Sequence, residues 1–489
     1  MHRRHLLAAS AAAAAAASGL GGLGGCTGPG LSIAAAPTVP ALPAGPYTDA
    51  DMAHAALLRD RGLADTRALA LVRSLTQEVG ARPAGSPGDA RAVAWAVAQC
   101  QALGLQAVRA EALPLRVWQR GPASADIVAP ERHALVMAAL GNSVGTPAAG
   151  IEAEIAYYPD FAALKADTSD RARGLIAFVD ERTDRSRDGA GYSRAAPARF
   201  GSAAEAARRG ALAVVIRSIG TSSGTGANRV AHTGAMRYDD TLAAIPALAV
   251  SVPDADLIAR LQAAGPVRLR LQVANQTGVD ATTHNVIAEL PGTDLADEVV
   301  LISAHLDSWD FGEGAVDDGA GVALVCAAAG LIRSAGRPLR RTLRVVLFGN
   351  EENGFDGALA YGNRYKAQQH QLVAESDFGA GAIYGLRSRV DAASLPAFEA
   401  MARVLAPLGV PLLGNTATPG PDAAVLMRRH QWPALSLSQD GSAYFDVHHT
   451  AHDTFARMDA SALPQNVACW AVVAWLAAQA TMGFRAASL

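Results

Sequence analysis

The sequence predicts an α/β fold: a mostly parallel central sheet with helices on both faces, and a second, largely β unit inserted into the chain. Three observations carry this. After residue 285, apolar strand-like runs (VIAEL, EVVLISAHLD, TLRVVLFGN, QLVAESDFG) are separated by helical stretches, a rhythm that yields parallel strands buried on both faces. Between residues 121 and 278 the texture changes to short β-rich pieces and Gly/Ser loops. Finally, acids and histidines gather at the ends of the later apolar runs, where open α/β sheets bind their ligands.

The chain has 489 residues, half of them hydrophobic, and a formal charge of −3. That length supports a large core and two or three domains. No long Lys/Arg cluster provides a footprint for nucleic acid, so a small soluble substrate is expected. The first residues, MHRRHLLAASAAAAAAASGLGGLGGC, read as an export signal: a basic start, an apolar stretch and small residues. Arg3 and Arg4 resemble a twin-arginine signal, with ordinary secretion as the alternative. Leu23 to Cys26 resembles a bacterial lipobox, in which a lipidated Cys26 would tether the protein to a membrane; the other reading is a plain signal with Cys26 incidental. The expected location is periplasmic or membrane-anchored, with secretion open. Cys100, Cys326 and Cys469 remain, an odd number set in apolar helical stretches, which points to buried small hydrophobes rather than a disulfide framework. No further run of about 18 uninterrupted apolar residues predicts a spanning helix.

In order, residues 1–26 are read as signal and lipobox and residues 27–47, rich in Pro, Gly and Ala, as a flexible linker. Residues 48–120 form the first part of the main domain. Leu69, Leu71, Val72 and Leu75 recur there at helical spacing, and a loop with Arg82 and Ser86 precedes a helix stopped near Gly104. Residues 121–278 are the insert. Its AEIAYYP, GLIAFVD, ALAVVIRS, PALAVSV and VRLRLQV are strand-like and GSAAEAARRGA is helical, while His232 and Arg237 are read as loop residues. Residues 279–489 complete the main domain, with helices expected over Asp318 to Ala335 and Ala358 to Gln369.

Four strand ends and one late loop carry the chemistry: AHLDSWD with His305 and Asp307, GAVDDGAG with Asp317 and Asp318, GNEENG with Glu351 and Glu352, AESDFG with Glu375 and Asp377, and DVHHTAHDT with His448, His449, His452 and Asp453. Each alone has a bland reading as a hydrogen-bonded pair, a helix cap or a charged rim. Together at successive strand ends they describe a site. Imidazole and carboxylate groups without cysteine suit zinc, and a carboxylate-rich set suits two ions sharing a bridge. Two such ions acidify a shared water, and a nearby carboxylate moves its proton.

The runs HLDSWDFGEGAVDDGAG, NEENGFDGALAY, ESDFG and HHTAHDT, in this order and spacing, resemble the co-catalytic zinc exopeptidases related to leucyl aminopeptidase, and among them the carboxypeptidase Q type. The stretches GSAAEAARRGALAVVIRS and AHTG resemble that family's inserted protease-associated domain. The resemblance covers nearly all of the chain after its leader. It implies the zinc-exopeptidase fold, two zinc ions per chain and a peptide substrate, with a roofing role for the insert and a homodimer as further implications. It places His305 and Asp377 on one zinc, Glu352 and His449 on the other, and Asp317 as the bridge. Glu351 would be the general base and Asp307 the group that orients His305. His449 is preferred to His448 because the family's His-Thr-x-x-Asp-Thr pattern falls on His449, Thr450, Asp453 and Thr454; His448 and His452 would stand behind the ligands or on the rim. Asp318 is read as a helix cap, Asp310 and Glu313 as loop acids, and Asp422 as close to the substrate. Ala304 replaces the usual Gly before the first ligand, and Asn353-Gly354-Phe355 follows the glutamates where relatives vary. Neither departure removes a ligand. The alternatives are a single-zinc cyclase or amidohydrolase on the same fold and a non-catalytic binding protein, the latter disfavoured because all five ligands and the base are kept.

Overall fold

The computed structural model describes residues 45–222 and 229–487. The signal, Cys26, all but the end of the linker and part of the GTSSGTGAN loop lie outside the described residues.

The central sheet has eight strands, in the order Gln106–Gln119, Gln276–Leu290, Leu339–Phe348, Gly292–His305, Gln369–Glu375, Ala434–Gln439, Ile383–Arg389 and Leu412–Gly414. Its middle is parallel: the Leu339, Gly292, Gln369 and Ala434 strands run the same way. Antiparallel pairs flank them, Gln106–Gln119 against Gln276–Leu290 and Ile383–Arg389 against Ala434–Gln439. The expected parallel sheet is thus its centre, inside a mixed whole.

Alternation along the Gly292–His305 strand explains its long apolar run. Val300, Ile302 and Ala304 face one core while Val299 and Leu301 face another, as side chains must on successive residues of a strand. The first face is covered by helices Ala320–Ser334 and Leu463–Gln479, the second by Asp356–Tyr365 and Pro421–His430. Segment Ala315–Ser334 is apolar and long enough to span a bilayer, yet it is buried in the protein from Ala315 to Ile332. It is a core helix, each of its fully buried Leu, Val and Ile side chains worth roughly 1.5–3 kcal/mol. Cys100, Cys326 and Cys469 are buried and unpaired, as expected.

Two helix boundaries differ from the sequence reading. Asp317 and Asp318 sit in a tight turn, Ala315–Gly319, with non-helical torsions, and the α-helix begins at Ala320. The Asp356 helix stops at Tyr365, because Gln369 pairs with Glu298 and opens the next strand.

Between the paired strands Gln106–Gln119 and Gln276–Leu290, the chain builds a second eight-stranded sheet. Ile151–Tyr158, Ile176–Val179, Ala213–Arg217 and Ala247–Val250 are parallel there. Separate apolar clusters cover its two faces, one including helix Ala190–Arg208 and the other helix Val252–Ala264.

Candidate metal centre and active site

The parallel strands deliver the acids to one edge. His305 ends its strand opposite Phe348, whose strand leads directly to Glu351 and Glu352; on the other side Glu375 ends its strand, with Asp377 two residues on. Asp317 comes from the turn after His305, and His449 from the loop following the turn Tyr444–Asp446.

The five expected ligands meet. His305 Nε2 lies 3.1 Å from Asp317 Oδ1 and 3.7 Å from Asp377 Oδ1. His449 Nε2 lies 3.1 Å from both Asp317 Oδ2 and Glu352 Oε2. The two oxygens of Asp317 therefore face two different imidazoles. The donor atoms fall into two groups that share this residue: Asp317 with His305 and Asp377, and Asp317 with His448 and His449. His448 Nε2 is 3.5 Å from Asp317 Oδ2, and its ring stacks on His449 with centroids 3.5 Å apart. Geometry thus brings His448 closer to the centre than a rim residue, but it lacks the contact with Glu352 that His449 makes.

Buried groups fix the loops that carry these side chains. His305 Nδ1 donates to the backbone carbonyl of Asp307 at 3.0 Å, while the Asp307 carboxylate stands 3.8 Å away. That carboxylate instead accepts the backbone N–H of Glu351 at 3.0 Å and of Glu352 at 3.4 Å. Asp307 therefore orients His305 through its main chain and the two glutamates through its side chain. Asp318 caps its helix by accepting from Gly321 N–H, and also accepts from His305 N–H, both at 3.1 Å. Asp453 accepts from the N–H groups of Ala315, Val316 and Asp317 at 2.8, 2.7 and 3.2 Å. Arg82 is fully buried and donates to the carbonyls of Leu306, Glu313 and Gly314. Gly314 is required beside it: φ is +60°, and a Cβ there would lie 2.6 Å from the guanidinium. The loop acids have structural partners, Asp310 in Arg120 at 2.6 Å and Glu313 in Phe455 N–H at 2.8 Å. Asp422 is buried one residue before Ala423, whose N–H donates to Glu375.

A family model, Peptidase family M28, matches residues 285–474. The chain is 33% identical over 420 residues to carboxypeptidase Q of Homo sapiens, covering 85% of this chain and 86% of that one. The chain belongs to peptidase family M28. A solved structure of a peptidase M28 precursor from Shewanella amazonensis is 44% identical, with a TM-score of 0.86 over 89% of this chain and 98% of that one. A zinc aminopeptidase from Bacillus subtilis shares the fold at 17% identity, with a TM-score of 0.59 over 83% of this chain and 93% of that one. As an M28 member the chain is a carboxypeptidase Q-like metallo-exopeptidase.

The electrostatics of this M28 site call for cations. Desolvation pushes Glu351 well above the usual carboxylate range, and Asp377 and Glu352 add to it against the pull of His305. Burial, reinforced by Asp317, lifts Glu352 to about 7 and Asp453 likewise to about 7. Burial works against charge on His305, yet Asp307, Asp317 and Asp377 hold its pKa well above that of free imidazole. Asp317 Oδ2 and Glu352 Oε1 are buried without a hydrogen bond. Carboxylates so crowded resist ionising together unless positive charge enters. The donors are imidazole nitrogens and carboxylate oxygens, with no thiolate, a set that fits zinc.

The centre opens into a cleft of about 820 Å³. Asp317, Glu351, Glu352 and Asp377 line it from the central sheet; Asn142, Tyr192, Arg199 and Arg237 line it from the second-sheet unit. Tyr192 stacks on Phe445 with centroids 4.3 Å apart, and its hydroxyl accepts from Arg199 at 2.6 Å. These wall residues escaped the sequence reading, which took Arg237 for an ordinary loop residue. His232 does lie in a loop, but it is buried, and its Nδ1 donates to His448 O at 2.8 Å. Burial holds its pKa down to about 4, so the ring is neutral. The only sequence signal for it was AHTG.

Proposed function

We propose that this chain is a two-zinc exopeptidase that hydrolyses dipeptides or other short peptides. His305 and Asp377 would hold one ion, Glu352 and His449 the other, and Asp317 both. The observation that carries this reading is Asp317, whose two oxygens each approach one imidazole at 3.1 Å. A cleft of about 820 Å³ lies within the range of small-molecule sites and suits a short peptide. Zinc ions bound there supply Lewis acidity for a scissile carbonyl and acidify a water.

Glu351 does the proton work. Its backbone is held by Asp307, its side chain lines the cleft, and among the described residues no hydrogen bond ties up its carboxylate. It takes the proton of the attacking water and delivers it to the leaving amine. A carboxylate raised by desolvation is suited to both halves of that transfer. Asp307 sets where it stands, and Glu352, one residue on, faces His449. The wall from the second-sheet unit roofs the cleft and limits water. Export, with a tether through Cys26 or free release, belongs to the same reading and rests on the leader sequence alone.

Glu351→Gln tests the assignment. It is expected to keep its zinc, measured by metal analysis, and to lose roughly 10²–10⁴-fold in turnover, the usual contribution of a general base. Loss of zinc, or near-normal turnover, overturns it. Zinc-free wild-type protein with no peptidase activity even after zinc is restored would instead support a binding protein.

A further inference from the structure

Two carbonyls of the His448–His449 turn are received by the second-sheet unit. His232 Nδ1 donates to His448 O at 2.8 Å, and Thr233 N–H donates to His449 O at 3.0 Å. The His449 ring returns the contact, its Nδ1 lying 3.3 Å from Thr233 O. A hydrogen on Nδ1 leaves the lone pair on Nε2, the atom that faces Asp317 and Glu352. Arg199 closes the same side, its Nη1 3.4 Å from His449 Nδ1 while donating to Tyr192.

His449 also has a φ of +61°. A non-glycine residue held in this left-handed region is disfavoured by roughly 1–2 kcal/mol, so the turn needs outside support. The donor on the other side is itself built in. His232 is buried, its own N–H donates to Ser218 Oγ at 2.8 Å, and Gly220 makes room for the ring: a Cβ there would lie 2.1 Å from it. His232, Thr233, Ser218 and Gly220 do not line the cleft. They act on the ligand from behind.

We propose that His232 and Thr233 are positioning residues for His449, so that one half of the metal centre takes its geometry from the inserted unit rather than from the central sheet. The inference rests on the reading of His449 as a zinc ligand. It assigns the insert a part in metal retention, beyond covering the cleft. His305 and Asp377, carried by adjacent strands of one sheet, need no such help. The two ions are therefore held unequally, and the one at His449 depends on contact between the two sheets.

The test is zinc retention by the full chain, read by competition with a chromophoric chelator, in wild type, His232→Ala, His232→Asn and Glu352→Ala. Asn keeps a donor in a smaller side chain, so a difference between it and Ala reads the hydrogen bond rather than lost packing. His232→Ala is expected to weaken one zinc by roughly 10–100-fold, the usual effect of losing a partner behind a ligand, and to leave the other unchanged; His232→Asn is expected to recover most of the loss. If His232→Ala does not fold, His232→Leu, which fills the space without a donor, takes its place. Loss of one zinc in Glu352→Ala with unchanged retention in His232→Ala overturns the positioning role and leaves the two-zinc reading standing. Retention of both ions in Glu352→Ala overturns the ligand set and this inference with it.

Discussion

Arg82→Met is the most informative single change away from the ligands. The guanidinium is fully buried and donates to Leu306 O at 2.5 Å, Glu313 O at 2.8 Å and Gly314 O at 2.9 Å. These carbonyls lie at the two ends of the single loop that runs from His305 to Asp317. Methionine keeps much of the side-chain length and deletes every donor, so three carbonyls lose a charged partner, each worth roughly 1–3 kcal/mol when buried. Removing a buried charge also relieves a desolvation penalty of several kcal/mol. However, Arg82 also offsets Asp453, Asp307, Asp318 and Asp317, which act on it in that order, and without it their repulsion grows. The net loss should be about 3–5 kcal/mol, the range for breaking a buried charged network. Urea unfolding of zinc-free protein at fixed pH measures it, read as a shift in midpoint at constant slope. Arg82→Lys should fall between, since one ammonium cannot span three carbonyls in a fixed fork. A loss under about 1 kcal/mol for Arg82→Met would refute the claim that this side chain ties the two ends of that loop together.

Two further outcomes are expected. Burial lowers the pKa of His370 to about 3, and its ring stacks on Trp432 with centroids 3.6 Å apart. Because the unfolded ring titrates near 6.5, the stability it contributes is complete above that pH. It is lost as pH falls toward 3, at up to about 1.4 kcal/mol per unit. Chemical unfolding of His370→Gln across this window should show a shallower acid dependence than wild type; equal slopes would place the acid sensitivity elsewhere. Hydrolysis of a panel of free, N-blocked and C-blocked dipeptides should be abolished by a chelator and restored by zinc, with free dipeptides cleaved and at least one block preventing cleavage. Activity that survives metal removal would end the metallopeptidase reading.

Much of this was legible in the sequence because its physics is local. Val299 to Ala304 read as a strand buried on both faces, and the acids after Phe348 and at Glu375 marked strand ends, so the edge that bears the site followed from order alone. Cys100, Cys326 and Cys469 were placed in the core by their apolar neighbours. The antiparallel flank was not foreseen. In Gln106–Gln119 apolar and polar residues alternate only loosely around Pro114, a residue tolerated because this strand pairs on one side. Nor were the roles of Arg82 and His232, or the grip of the Asp307 carboxylate on the backbone of Glu351 and Glu352. Arg82 reaches carbonyls more than 200 positions away, and His232 likewise meets His448. A contact made across that distance leaves no periodicity or spacing in either stretch. His232 stood in a polar loop as an ordinary residue, and only the packing of one sheet unit on the other reveals its partner.

The pairing of Gln106–Gln119 with Gln276–Leu290, with Gln119 opposite Gln276, bears on how the chain reaches its native state. Zipping these strands directly in an unfolded chain would close a loop containing the whole second sheet. Once that sheet has formed, its two ends already emerge side by side and the remaining closure is short. By the logarithmic dependence of closure entropy on loop length, the difference is about 3 kcal/mol. An excursion formed first would deliver its flanking strands to the central sheet in register, so that a long insertion burdens the assembly of its host very little.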